Sequence, residues 1–257
     1  MKHPIHLRAL IEERLFPGNC ALCGGFLLDM NECWYGLCES CMGRLRLEDL
    51  SPASRCSLCG RPLISEQGVC VDCREKSDPH AFDRMLPLFH YRGIYRDLLL
   101  AFKFDKRKAL GNFLVEHLLE GIAYLSDGDV EMCLTPVPPR PGKLKADGWD
   151  QIAYIAALIE RKQRADRHAR HPALVAPPRI PPIYRCLKRL PSQIQKKLGR
   201  EERKTNLKGK IRCTREAPRR VIVFDDVITT GSTIDACATA LKEGGAEVVY
   251  GLGLFYV

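Results

Sequence analysis

The stretch "VIVFDDVITTGST", residues 221 to 233, decides how the chain is read. Four apolar residues run directly into two adjacent carboxylates, Asp225 and Asp226, and a loop of small hydroxyl residues around Gly231 follows. A short apolar run bounded by turn residues predicts a buried strand. The strand VIVF is expected to end at the acids, and a helix to open near Ser232 or Thr233. A strand, a small-residue loop and a helix in that order predict one unit of a parallel sheet.

Such a loop is built to hold an anion. The helix N-terminus and the free backbone N–H groups of the loop point at a ligand and favour negative charge. Gly231 permits close backbone approach, and the hydroxyls of Thr229, Thr230, Ser232 and Thr233 add donors. Two carboxylates beside a phosphate cradle are not there for the phosphate itself. They accept hydrogen bonds from sugar hydroxyls, or hold Mg²⁺ through water. A ligand carrying both a phosphate and a vicinal diol is a ribose 5-phosphate derivative. The chain has no GxxxxGK[ST] and no GxGxxG after a strand, so neither a Walker nor a dinucleotide fingerprint applies.

Outward from this stretch, the same alternation continues. "MLPLFHY" and "EMCLTPVP" read as strands, as do the short "IYRCL" and the closing "AEVVYGLGLFYV", a strand or two. "IYRDLLLAFKF", "ALGNFLVEHLLEGIAYL", "WDQIAYIAALIERKQ" and "TIDACATALKEGG" carry apolar residues at helical spacing. "HPALVAPPRIPP" reads as a proline-rich connection. The fold class is therefore α/β, with a mostly parallel sheet and helices on both faces, over residues 79–257.

Residues 1–78 are different: an N-terminal amphipathic helix is expected, followed by a cysteine-rich module. Of 13 cysteines, eight form four CxxC pairs: Cys20/Cys23, Cys38/Cys41, Cys56/Cys59 and Cys70/Cys73. Each pair places two thiolates about one turn apart, the geometry of a zinc knuckle, and two pairs complete a tetrahedral four-thiolate site. Four pairs imply two structural zinc ions. Sequential pairing, with spacers of 14 and 10 residues, suits a double zinc ribbon, and the spacing leaves interleaved pairing open as well. Gly24 and Gly60 follow the second cysteine of their pairs, where a knuckle turns back through a left-handed conformation. A module this small lacks a self-sufficient core, so metal supplies most of its folding free energy, on the order of 10 kcal/mol per site. Cys33, Cys133, Cys186, Cys213 and Cys237 fall outside the pattern and read as small buried apolar residues.

The formal net charge is +9. Between Arg185 and Arg220 stand 14 Lys or Arg against three Glu, or +11, which leaves −2 for the rest of the chain. A segment so basic suits a polyanion such as nucleic acid. It holds no Phe, Trp or Tyr, so base stacking has to come from elsewhere. No apolar run reaches the roughly 18 residues of a membrane span. The first residues lack the apolar core of a signal peptide, so a cytoplasmic protein is expected.

Residues 221–233 closely resemble the phosphoribosyl diphosphate (PRPP) motif of type I phosphoribosyltransferases. Joined to a CxxC-rich double zinc ribbon, the whole resembles the ComF family, associated with competence and DNA uptake. That family typically reads "PVPLHPRRLRERGFNQ" where this chain has "PVPPRPGKLKADGWDQ", Pro136 to Gln151. A second pattern is filled by Lys188, Ser192, Gln195, Leu198, Arg203 and Asn206, with Ser where the family has Thr. "AFKFDKRKALG" matches a further block containing Lys103.

The resemblance implies that Asp225 and Asp226 hold the ribose 2- and 3-hydroxyls and Thr229, Thr230, Gly231, Ser232 and Thr233 the 5-phosphate. It further implies that Arg140 and Lys143 contact PRPP, with Mg²⁺ as its companion ion. Lys103, Asp225 and Asp226 are the catalytic candidates. Two departures stand out: the family's Arg is Asp147 here, and its Asn is Asp150. Both put negative charge near the expected pyrophosphate position, where Arg140, Lys143 and Lys145 compensate. Two function classes remain: an active phosphoribosyltransferase, or a DNA-uptake module that binds PRPP and single-stranded DNA beside uptake proteins such as a helicase.

Overall fold

A computed structural model describes residues 18–46, 54–75, 79–168, 179–191 and 209–257. The N-terminal amphipathic stretch lies outside them, as do Ser192, Gln195, Leu198, Arg203 and Asn206 and most of the proline-rich connection.

The central sheet has four strands: β1 (Arg84–His90), β2 (Cys133–Pro136), β5 (Arg220–Ile228) and β6 (Val248–Tyr256). Their order is β1-β6-β5-β2, and all three pairings are parallel. Parallel strands need crossover helices, and these cover both faces. Helices α4 (Ile94–Lys103), α5 (Leu110–Ser126) and α7 (Gln151–His168) pack on one face, and α8 (Ser232–Glu243) on the other. That is why VIVF is an unbroken apolar run. Ile222 and Phe224 join Leu252 and Leu254 in the core beneath α5, whereas Val221 and Val223 join Val249 beneath α8. The α8 face is crowded: a Cβ on Gly251 would lie 2.5 Å from Ile234 Cγ2.

The strand does not stop at the acids. β5 continues through Asp225 and Asp226 to Ile228, pairing Asp225 with Gly253, Val227 with Phe255 and Ile228 with Tyr256. The closing segment is one long strand, and its length carries β5 past the expected end. The carboxylates therefore project from a rigid strand and obey its alternation.

A second, antiparallel sheet is formed by β3 (Leu187–Arg189) and β4 (Ile211–Cys213), packed on α8. The expected strand at 183–187 splits in two. Ile183 bridges Leu134 at the open edge of β2, and Leu187 starts β3.

Two short cysteine-rich units precede the sheet and repeat one plan. In the first, a knuckle is followed by α1 (Met30–Tyr35) and α2 (Glu39–Arg44), and in the second by α3 (Val71–Arg74). The turns are closed alike, Gly24 N–H to Cys20 O at 3.0 Å and Gly60 N–H to Cys56 O at 2.9 Å. Gly24 and Gly60 have φ of +75° and +66°, the left-handed conformation expected of them. The first unit docks on α5, with the Tyr35 hydroxyl donating to Glu116 at 2.6 Å and Asn112 Nδ2 to Trp34 O at 2.8 Å. The second docks on β1. Buried Arg55 donates from Nη1 to Gly60 O and to Pro87 O, both at 2.8 Å, and so covers an otherwise open sheet edge. Among the described residues no helix is long and apolar enough to cross a membrane.

Candidate functional site

The cysteines resolve the pairing. Cys20, Cys23, Cys38 and Cys41 gather at one point, and Cys56, Cys59, Cys70 and Cys73 at another; within each set the sulfurs lie within 4.8 Å of one another. The pairing is sequential. Cys23 and Cys38 sulfurs are 3.6 Å apart, and those of Cys59 and Cys70 3.7 Å. Metal–sulfur bonds of about 2.3 Å in a tetrahedron put sulfurs roughly 3.8 Å apart. Both four-thiolate sets fit a structural zinc ion.

The second feature lies at the carboxyl ends of the parallel strands, where ligands of open α/β sheets bind. A cavity of about 810 Å³ opens there, lined by Asp225, Asp226, Lys103, Arg140, Lys143, Thr229, Ser232 and Thr233, among others. Its walls come from the end of β5, the loop into α8, the end of α4 and the stretch after β2. Gly231 takes the left-handed conformation, φ +75°, and caps α8. Thr230 faces a neighbouring cleft of about 270 Å³ that also reaches Cys59 and Cys73, and Thr229 borders both. The Thr230 hydroxyl donates to Ser232 Oγ at 2.8 Å, which fixes the loop.

Strand alternation gives the two acids different surroundings. Asp226 lies on the α4 side, where its Oδ2 is 2.9 Å from Lys103 Nζ. Burial pushes its pKa up, but Lys103, aided by Lys143, outweighs this and holds it below the usual carboxylate range. Asp225 lies on the α8 side, where it feels Cys237 and Arg189. Burial, then the Asp226 charge, raises its pKa to about 8. The two carboxyls therefore titrate as a pair, with Asp226 the more acidic member.

Trp149 Nε1 and Gln151 Nε2 both donate to the Lys103 carbonyl, at 3.3 and 3.4 Å, and fix the end of α4. The two departures from the family pattern separate here. Asp150 is buried, accepts from Ala153 N–H at 2.7 Å at the start of α7, and meets Lys143 Nζ at 2.7 Å. Its charge is already matched, so it does not repel a ligand as its sequence position suggested. The same contact occupies Lys143, which also donates to Gln151 Oε1 at 2.6 Å. Asp147, by contrast, is exposed, and both acids line the cavity.

On β3 the sequence pattern points at Lys188, which is exposed and not at the cavity. Its neighbour Arg189 lines the cavity instead. Sequence reading missed Arg189 because a three-residue strand gives no alternation long enough to tell the inward side chain from the outward one.

Sequence comparisons agree with the cysteine geometry. A family model described as a double zinc ribbon domain matches residues 11–74. Competence protein F of Haemophilus influenzae is 26% identical over 232 residues, 85% of this chain and 90% of that protein. DNA utilization protein YhgH of Escherichia coli K12 is 23% identical over 239 residues, 91% of this chain and 94% of that protein. Fold and thiolate sites define an α/β protein carrying a double zinc ribbon. The similarity along most of the chain, with the zinc-ribbon match, supports a ComF-family protein.

Proposed function

We propose that this protein binds PRPP in the cavity at the end of β5 and acts in DNA uptake, contacting single-stranded DNA through its basic segment. The observation that carries the ligand is the strand-borne pair Asp225 and Asp226 beside the hydroxyl loop that opens α8. Asp225 Oδ1 already accepts the Asp226 N–H at 2.8 Å, which leaves its other oxygen for a sugar hydroxyl or a hard cation. Magnesium bound with the ligand neutralises the diphosphate. The chain's own groups do the orienting: Lys103 holds Asp226, the loop N–H groups take the 5-phosphate, and Trp149 closes the apolar wall.

The DNA role rests on the names of the relatives, Competence protein F and DNA utilization protein, and on charge. Across β3 and β4, Lys188 stands directly opposite Arg212, and both are exposed. Like charges directly opposite destabilise a strand pair unless an anion lies over them. A strand's phosphate backbone is such an anion. Partner proteins of the uptake apparatus, a helicase among them, belong to the same reading.

The second reading, transfer of ribose 5-phosphate to a base or amine, is favoured by the cavity. Its roughly 810 Å³ falls in the range of pockets that enclose a drug-sized ligand, about 300–1,000 Å³, and an apolar wall adjoins the carboxylates. Calorimetry with PRPP and magnesium tests the first reading, with Asp225→Asn/Asp226→Asn as control. Binding is expected in the native protein and absent in the double variant at unchanged zinc content. No binding to the native protein at millimolar PRPP defeats the proposal. Pyrophosphate release with candidate acceptors separates enzyme from binding module.

A further inference from the structure

The two thiolate sets are alike in sulfur spacing and unlike in shielding. Cys23 is exposed and Cys38 half-buried, whereas Cys56, Cys59 and Cys70 are buried and Cys73 is half-buried. The difference starts in the knuckles. The first, "CALCGG", follows Cys23 with two exposed glycines. A Cβ on Gly24 would meet nothing within 4 Å, and one on Gly25 would lie 3.4 Å from Cys23 Sγ itself. The two residues after that sulfur therefore put no side chain over it. The second knuckle, "CSLCGR", is pressed onto β1: a Cβ on Gly60 would clash with Met85 O and lie 2.9 Å from Pro87 Cδ. Cys59 and Cys73 border only the smaller cleft that they share with Thr229 and Thr230. In the first set the exposed sulfur has a second one within reach, Cys38 Sγ at 3.6 Å. Thiolates that solvent reaches are the ones an oxidant attacks, and a neighbouring thiolate resolves the product.

We infer that Cys23 and Cys38 are an oxidant-sensitive modification site, at which hydrogen peroxide forms a disulfide and costs the protein its first zinc ion while the second stays. The Cys23 thiolate attacks a peroxide oxygen. The S–O bond forms, the O–O bond breaks, and hydroxide leaves with the electron pair. The Cys38 thiolate then attacks the sulfenic sulfur, the S–S bond forms, the S–O bond breaks, and a second hydroxide leaves. One hydrogen peroxide is reduced and two thiolates are oxidised. The pair joins the two knuckles of the set, so each knuckle loses a ligand. Cys20 and Cys41 alone do not complete a tetrahedral four-thiolate site. The first unit then keeps only its docking contacts on α5, Tyr35 to Glu116 and Asn112 to Trp34. The second unit keeps its metal and its Arg55 bonds to Gly60 and Pro87. An oxidant thus acts on one ribbon and spares the one that borders the ligand loop.

The test treats the zinc-loaded full chain with hydrogen peroxide and follows zinc release with a colorimetric chelator. One ion per chain is expected to leave at least about tenfold faster than the other. Peptide mass mapping without reduction is expected to find Cys23 joined to Cys38, and dithiothreitol with added zinc to restore the native metal content. Cys23→His keeps a ligand that suits zinc and removes the oxidisable sulfur. That variant is expected to load both ions and to release the first about tenfold more slowly than the native protein. Release of both ions at one rate overturns the inference. So does a first disulfide at any pair other than Cys23 and Cys38. A Cys23→His protein that loads both ions and still loses one as fast as the native protein overturns it as well. Should the variant load only one ion, the disulfide map of the native protein decides.

Discussion

The backbone N–H of Met85 donates to the carbonyl of Leu58 at 2.7 Å, which ties the second zinc ribbon to β1. The side chain of the same residue lies against the loop of residues 229–233: a Cβ placed on Gly231 would be 3.5 Å from Met85 Cε. Ribbon and loop thus share one residue, and Thr229 and Thr230 border a cleft with Cys59 and Cys73. Two sites linked through packed residues influence one another equally in both directions.

Loss of the second zinc is therefore expected to loosen the ligand loop. Cys70→Ser with Cys73→Ser should weaken PRPP binding by about five- to tenfold. Cys23→Ser with Cys38→Ser in the first ribbon, which docks on α5 instead, should change it far less. By reciprocity, PRPP should slow release of one of the two zinc ions to a chelator. Zinc release followed with a colorimetric chelator, with and without PRPP, checks this. Equal sensitivity of the two ribbons would show that the Met85 contact transmits nothing.

Ionising Asp225 in its folded site has a cost in stability. In the unfolded chain the carboxyl ionises near its usual value, 3.8, and in the folded chain near 8. Its folded pKa is raised, so its contribution to stability is fully present below about pH 4 and is lost as pH rises toward 8. Asp225→Asn removes that loss. The variant should gain little at pH 4, gain about 1 kcal/mol or more by pH 8, and level off above it. Urea unfolding of both proteins between pH 5 and 9 measures the difference. A gain independent of pH would mean that Asp225 is ionised throughout. The same substitution should abolish PRPP binding, the usual exchange of activity for stability at a binding site.

Much of this was readable in the chain itself. The CxxC spacing announced two thiolate sites because metal geometry fixes the ligand separation locally. The strand, loop and helix around residues 221–233 were legible for the same reason, since buried parallel strands are apolar on both faces. What escaped was long-range. That Asp150 meets Lys143 in the cavity wall depends on where α6 (Lys143–Asp147) leaves the chain. The continuation of β5 through Asp225 depends on a partner strand more than 20 residues further on.

The basic segment gives a prediction of its own. If Lys188, Arg212 and their neighbours contact phosphates, single-stranded DNA affinity should fall with salt, with a log–log slope of about −0.7 per contact. Lys188→Gln with Arg212→Gln should reduce the slope by about 1.4 and weaken all sequences alike. The same change removes a like-charge pair across β3 and β4, so stability should hold or rise slightly. Fluorescence anisotropy at several salt concentrations reads the slope. A flat response would take this hairpin out of the DNA-contacting surface.

Lys143 is the cavity cation whose engagement can be reversed by one substitution. Its Nζ is 2.7 Å from Asp150 Oδ2 and donates to Gln151 Oε1 at 2.6 Å, so an anionic ligand has to compete for it. Asp150→Asn keeps an oxygen for the Ala153 N–H at the start of α7, and Asn caps helices as well as Asp does. What it removes is the charge that holds Lys143. The ammonium, already in the cavity wall, is then released from that pairing, and PRPP affinity should rise by about three- to tenfold. Stability should fall, because a buried pair loses one partner, by up to about 3 kcal/mol. Asp150→Ala should fall by about 1 kcal/mol further, as the cap goes too. Calorimetry and urea unfolding on the two variants separate these effects. An unchanged or lower affinity in Asp150→Asn would mean that Lys143 serves the fold of this stretch and takes no part in holding the ligand.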